Sequence, residues 1–80
     1  MTVTLRIIST TEVIFDGDVE MVKLPGEQGQ FTVLKNHAAL ISVLVAGEII
    51  YRTPDGTDGN VTVKGGIADI DNNIVSVCAY

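Results

Sequence analysis

Leu24-Pro25-Gly26-Glu27-Gln28-Gly29-Gln30-Phe31-Thr32-Val33-Leu34-Lys35-Asn36-His37-Ala38-Ala39-Leu40 contains two glycines, one of the chain's two prolines, its only histidine and one of its two phenylalanines. Pro25-Gly26 ends whatever precedes it, and Gln30 to Leu34 alternates polar and apolar side chains as a half-buried strand does. The residues from Lys35 to Ala39 follow neither a strand nor a helix period. So much punctuation in seventeen residues marks a shaped surface rather than a spacer, set between two alternating regions.

On the amino-terminal side, Val3, Leu5 and Ile7 alternate with Thr2, Thr4 and Arg6, which predicts a strand with one buried face. Ser9-Thr10-Thr11 ends it. A second strand is expected with Val13 and Phe15 on one face, followed by a turn at Asp16-Gly17-Asp18. Val19 and Met21 then point inward, but Val22 and Leu24 flank an outward Lys23. The inward phase therefore slips by one between Met21 and Val22, as at a bulge or where a strand passes from one sheet to another.

On the carboxy-terminal side, Ile41 to Val45 is apolar on both faces apart from Ser42, which suits a central buried strand. Ala46-Gly47 turns the chain into Glu48 to Arg52. Thr53-Pro54-Asp55-Gly56-Thr57-Asp58-Gly59 is the strongest loop signal and closes a hairpin with Val61 to Lys64. Gly65-Gly66 predicts a bend or a close backbone crossing. Ile67 to Ile70, a turn at Asp71-Asn72-Asn73, and Ile74 to Ala79 complete nine to ten short strands. No helix is expected. The chain reads as all-β, closing its core as a two-layer β-sandwich or flattened barrel over a single domain, residues 1–80.

Eighty residues bury only roughly 60–65% of their unfolded surface, so the margin of stability is thin. Cys78 is alone, which removes any internal disulfide, and one cysteine with one histidine makes no ordinary zinc site. Ten acidic against five basic side chains argue against nucleic acid, whose phosphates need a basic patch. Four aromatic side chains are few for a single-strand binder. No apolar run approaches the ~20 residues of a membrane helix, and the alternating start has no basic, apolar leader. Work at a membrane would go through another protein.

His37 is the one side chain whose ordinary pKa lies near neutrality. Thr32 and Ser42 can be written as nucleophile partners, but the spacing supplies no third, orienting group. A phosphate-cradling loop at Pro25 to Gly29 would need a helix after it, and a strand follows instead, with Glu27 to repel phosphate. The carboxylates fall on separate turns rather than as an acid/base pair. Lys35 lacks the surroundings of a lipoyl or biotinyl lysine. These residues describe a binding or structural module; the alternative is a small β-sandwich enzyme or ligand-binding module with His37 at a pocket.

The quoted stretch resembles the signature of the epsilon subunit of bacterial F-type ATP synthases: Pro-Gly, two variable residues, Gly, then a short strand into a Gly-His-Ala-Pro-Leu-like element. Phe15-Asp16-Gly17-Asp18-Val19-Glu20, Val63-Lys64-Gly65-Gly66-Ile67-Ala68-Asp69-Ile70 and Asn72-Asn73-Ile74-Val75-Ser76-Val77 are similar to three further elements of that family, in order. The resemblance implies a β-sandwich in the central stalk that binds the gamma subunit and the polar loops of the c-ring. It implies a rotor part that couples proton-driven rotation to ATP synthesis, touching the alpha/beta catalytic head only indirectly, without cofactor or catalytic residue. Its location would be peripheral, on the cytoplasmic face of the bacterial inner membrane.

Carried onto this chain, the resemblance sets Glu27, Gln28, Gly29 and Gln30 toward the c-ring, and His37, Ala38 and Leu40 toward gamma. Gln30 stands where the family is often acidic, which replaces an ion pair by at most a hydrogen bond. Asn36 stands in place of glycine and accepts positive φ. Ala39 stands in place of proline, which leaves the segment less rigid. Many members continue into two helices that restrain ATP hydrolysis; the sequence ends at Tyr80, and its start at Met1 favours a naturally short form without them.

Overall fold

Alternation governs the backbone from the first strand. Val3, Leu5 and Ile7 are fully buried, while Arg6 between them is exposed. The computed structural model describes residues 2–80; Met1, the first residue of the domain expected over 1–80, lies outside them. Nine strands follow: β1 Val3–Ile8, β2 Val13–Val19, β3 Met21–Gly26, β4 Gly29–Val33, β5 Leu40–Leu44, β6 Gly47–Arg52, β7 Asp58–Val63, β8 Gly66–Asp71 and β9 Ile74–Ala79. The described residues hold no helix.

The strands form one sheet in the order β2-β1-β9-β8-β5-β3-β6-β7, with β4 attached to β3. All pairs are antiparallel except β1 with β9. Between β5 and β3 the ladder shrinks to a single pair, Gly26 with Leu44. There the sheet folds over, so that β2-β1-β9-β8-β5 makes one layer of the sandwich and β3, β4, β6 and β7 the other. Leu5, Ile7, Ala68, Ile70, Val75 and Val77 from the first layer meet Val22, Leu24, Val33, Ile49 and Val63 from the second in one core. Each fully buried Val, Leu or Ile among them contributes about 1.5–3 kcal/mol relative to exposure. At the flank, Phe15 of β2 packs on Tyr51 of β6 with ring centroids 4.3 Å apart.

Several sequence expectations are met. The phase slip is present but falls before Met21 rather than after it: Val19 is buried at the end of β2, Met21 is only half-buried, and Val22 and Leu24 are buried in β3, on the other layer. The slip marks passage between layers. Gly66 stands at a backbone crossing. A Cβ there would run into the Cys78 carbonyl and lie 3.0 Å from the Ala79 Cα. The Thr53–Gly59 signal closes the β6–β7 hairpin, where Asp55 Oδ1 accepts from the Thr53 hydroxyl and from the Thr57 amide at 3.1 Å. Those bonds hold the Asp55 carboxyl below its usual range. Arg52 Nε meets Asp58 Oδ1 at 2.7 Å, which lowers the Asp58 carboxyl and raises the guanidinium. Solvent-exposed as it is, the pair adds little stability.

Three expectations are corrected. Asp16-Gly17-Asp18 is not a turn but strand, paired with Arg6, Leu5 and Thr4 of β1; glycine between two acids is compatible with an edge strand whose chain reverses only at Glu20. Val13 and Phe15 do not share a face. The register shifts between Ile7 and Ile8, so Phe15 opposes buried Ile7 while Val13 opposes Ile8 on the outer surface. Most consequentially, the Ile41 to Val45 run is central in strand order yet not buried: Leu44 alone is inside, and Ile41 is 71% exposed. Its apolar outer face has no layer over it.

Replacing Gly66 by Ala forces a backbone shift at β8 and β9. Gly66→Ala is expected to cost about 1–3 kcal/mol, the range of overpacking substitutions, read from urea unfolding of the two chains.

Candidate functional site

The tip of the β3–β4 hairpin is built by the Pro-Gly and Gly signals. Gly26 pairs with Gly29, leaving Glu27 and Gln28 as the turn, and Gln30 pairs with Pro25. Gly26 is required at this place, because a Cβ would lie 2.8 Å from both the Gly29 carbonyl and the Phe31 ring. Two backbone bonds tie the tip to β5: Glu27 N donates to Val43 O at 2.8 Å, and Val45 N donates to Pro25 O at 2.9 Å. Glu27, Gln28, Gly29 and Gln30 are all exposed. Between the tip and β5 runs a groove of about 540 Å³ whose walls include these four residues, Leu40 and Ile41.

His37 and Ala38 lie apart from that groove. The loop between β4 and β5 closes with His37 N donating to Leu34 O at 3.2 Å. Asn36 takes φ +67°, as its place in a glycine-type position requires. Its amide donates to Asn73 Oδ1 at 2.6 Å, and Asn73 Nδ2 returns a bond to Asn36 Oδ1 at 3.4 Å. Asn73 O also accepts from Thr4 N at 2.9 Å. One asparagine thus ties the His37 loop, the β8–β9 turn and β1 together.

The surroundings of His37 are those of a loop surface. Its Nδ1 is 2.7 Å from Ala38 O, and since a carbonyl only accepts, Nδ1 donates there. The half-buried ring borders a shallow depression of about 270 Å³ with Asn36, Asp71, Asn72 and Asn73. Ser42, weighed as a nucleophile, donates to Val43 O at 3.2 Å, and Thr32 is exposed on β4. Among the described residues no three His, Cys, Asp or Glu side chains converge as a metal-ligand set.

The feature that single-strand patterns do not reveal lies on the outer face of the first layer. Register aligns Val43 of β5 with Ile67 of β8, Ile67 with Cys78 of β9, Cys78 with Ile8 of β1, and Ile8 with Val13 of β2. This apolar row crosses five strands. Val13 and Ile67 are each 52% exposed and Val43 49%. The next row reads Ile41, Asp69, Ser76, Arg6 and Asp16, and Asp71, Ile74, Thr4 and Asp18 follow. The face is amphipathic, apolar at one end and acidic at the other. A signal existed in the outward phases of β1, β8 and β9, but only the register brings Ile8, Ile67 and Cys78 into line.

Nine strands among the described residues, in two layers with a protruding tip and an uncovered apolar row, define the class: a β-sandwich module. Residues 2–80 match the family described as "ATP synthase, Delta/Epsilon chain, beta-sandwich domain". The chain belongs to that family. It is 43% identical over 77 residues to the ATP synthase epsilon chain of Campylobacter lari, covering 96% of this chain and 59% of that protein. Against the epsilon chain of a Synechocystis species the identity is 40% over 78 residues, covering 96% and 56%. A chain in the Euglena gracilis mitochondrial ATP synthase assembly of OSCP, F1 and c-ring superposes with a TM-score of 0.92 over 98% of this chain and 50% of that one. At 19% identity this likeness speaks for the fold alone. The chain spans little more than half the length of the curated relatives it matches.

Loss of the asparagine clasp should free the His37 loop without disturbing the core. Asn73→Ala is expected to cost about 1–2 kcal/mol and to speed amide exchange at Asn36 and His37, but not at Leu5 or Val77, as read by NMR hydrogen exchange.

Proposed function

We propose that residues 1–80 form the β-sandwich domain of an epsilon-type subunit, a non-catalytic part of the central stalk of a proton-driven ATP synthase. The apolar row is the observation that carries this reading. A row of exposed or half-exposed Val, Ile and Cys side chains crossing five strands is the kind of surface that a module keeps for a protein partner. The partner assigned to it is the gamma subunit, lying against the row, with Leu40 at the start of β5 and His37 and Ala38 of the β4–β5 loop extending the contact toward the acidic end of the face. The acidic rows beside it call for basic groups on gamma, which set orientation and speed encounter.

The exposed tip Glu27, Gln28, Gly29 and Gln30 reaches the polar loops of the c-ring. Gln30 offers a hydrogen bond there, and Glu27 is the one charge with which the tip can meet a basic loop. The domain transmits torque by holding gamma and ring in register; the alpha/beta head is reached only through gamma. No helix in the described residues is long and apolar enough to cross a membrane. Its place is peripheral, on the cytoplasmic face of the bacterial inner membrane. These eighty residues carry no helical pair with which to impose an ATP-sensitive block on hydrolysis.

Gel filtration of the chain with the gamma subunit of its own complex tests this reading. Stoichiometric co-elution is expected at micromolar concentration, and separate elution would sink the proposal. Ile67→Asp should weaken the complex about a hundredfold, since an unpaired carboxylate buried at the interface costs about 3 kcal/mol, while Thr62→Asp on β7 should leave it intact. Added to a complex lacking its epsilon chain, the eighty residues should produce no inhibition of ATP hydrolysis that ATP relieves.

A further inference from the structure

The edge of β5 that faces β3 is only half used. In an antiparallel ladder successive residues turn their amide and carbonyl groups to alternate sides. Leu40, Ser42 and Leu44 turn theirs toward β8, opposite Ile70, Ala68 and Gly66. Val43 and Val45 turn theirs toward β3, where Val43 O accepts from Glu27 N at 2.8 Å and Val45 N donates to Pro25 O at 2.9 Å. Beyond Glu27 the hairpin bends away into its turn, and the pairing of β5 with β3 stops at Gly26 and Leu44. By the same alternation the N–H and C=O of Ile41, and the N–H of Val43, point into the groove, where no ladder or loop bond reaches them among the described residues.

The groove has the form of a vacant strand position. Its volume of about 540 Å³ lies between β5 and the hairpin tip, with Phe31 and Leu40 supplying apolar wall and Gln28 and Gln30 polar wall. Water satisfies the open edge in the free chain, yet the edge is flanked by Ile41 at 71% exposure and Val43 at 49%. Val43 is also the first residue of the apolar row, so the groove and the row form one continuous surface. The backbone groups decide what fits. A bare amide and carbonyl spaced along an extended strand are matched by another extended backbone.

We infer that a short extended segment of the gamma subunit adds to β5 as a strand, exchanging backbone hydrogen bonds with Ile41 while the body of gamma covers the apolar row. This rests on the gamma contact proposed above and specifies how it is made. The segment pairs over about three residues, the length of β5 left open between the tip and the β4–β5 loop. Its side chains facing the core layer are small or apolar, to lie against Phe31 and Leu40.

Ile41→Pro is a selective test. It deletes the amide donor that faces the groove and leaves the bonds of Leu40, Ser42 and Leu44 to β8, a placement that proline tolerates at a strand edge. Ile41→Thr keeps the donor and trims the side chain. The proline chain should bind gamma about tenfold more weakly than the threonine chain, the equivalent of one backbone hydrogen bond. Amide exchange read by NMR on the unmodified chain is a second measurement that does not depend on the variants folding. Gamma should slow exchange at Ile41 and Val43, with Ser42, already bonded to β8, as the internal control.

Binding of gamma with unchanged exchange at Ile41, and equal affinity of the proline and threonine chains, would overturn the strand-addition inference and leave the stalk reading standing. Failure of the unmodified chain to bind gamma at all would remove both. Protection of Ile41 by the isolated c-ring, or by a second copy of this chain at high concentration, would also overturn it, because the groove would then belong to a different partner.

Discussion

Two backbone hydrogen bonds hold the two layers of this sandwich in one sheet: Glu27 N to Val43 O and Val45 N to Pro25 O. They flank the single pair, Gly26 with Leu44, through which β3 and β5 meet. Everything on the working side of the molecule follows from how short that joint is. A longer ladder would have paired β5 along its whole length and flattened the hairpin tip against it. A joint of one pair leaves the tip free to project and opens the groove beside Ile41. Pro25 has no amide to extend the joint in one direction, and the crowding about Gly26 fixes the turn in the other.

The layer that β5 completes is asymmetric. Its inner face meets the core through side chains that are fully buried or nearly so, without any buried polar group among the described residues. Its outer face runs from apolar to acidic over three rows. Neither property conflicts with the other, because successive residues of a strand belong to different faces. β8 shows the economy of this arrangement: Gly66, Ala68 and Ile70 pack inward while Ile67, Asp69 and Asp71 form the outer rows. One strand therefore carries both the fold and the surface.

This double use also explains what could be read from the sequence. The strands, their number and the sandwich followed from alternation and from turn residues, and the phase slip near Met21 correctly marked the passage between layers. Gly65-Gly66 announced its crossing because little else explains two glycines inside a strand pattern. The misreadings share one cause. Ile41 to Val45 has the composition of a buried strand, and Val13 looks like a partner of Phe15, because pattern alone equates apolar with inside. Val13 is turned out by a register shift, and β5 is left uncovered by a joint formed far along the chain. Both are properties of pairing, which periodicity within one strand does not contain. At the site, the tip residues and Leu40 came together as one groove, but His37 and Ala38 went to a separate loop that Asn73, thirty-six residues beyond His37, holds in place.

The treatment of the strand edges gives the surface its logic. β2, at one end of the sheet, carries Asp16 and Asp18, and the opposite end strand β7 begins with Asp58 and carries Asn60 and Thr62 outward. Charged and polar edges discourage a second chain from extending the sheet. The open edge of β5 has no such guard on its own strand; Leu40, Ile41 and Val43 border it, and Glu27 stands across the mouth. Were that edge merely a leftover of folding, selection against self-association would favour a charge at Ile41, since its side chain points outward and packs in no core. An apolar, half-open strand kept beside two guarded ones is better understood as reserved. Its recess behind the tip limits access to a thin, extended segment, which protects the edge from flat sheet-to-sheet pairing.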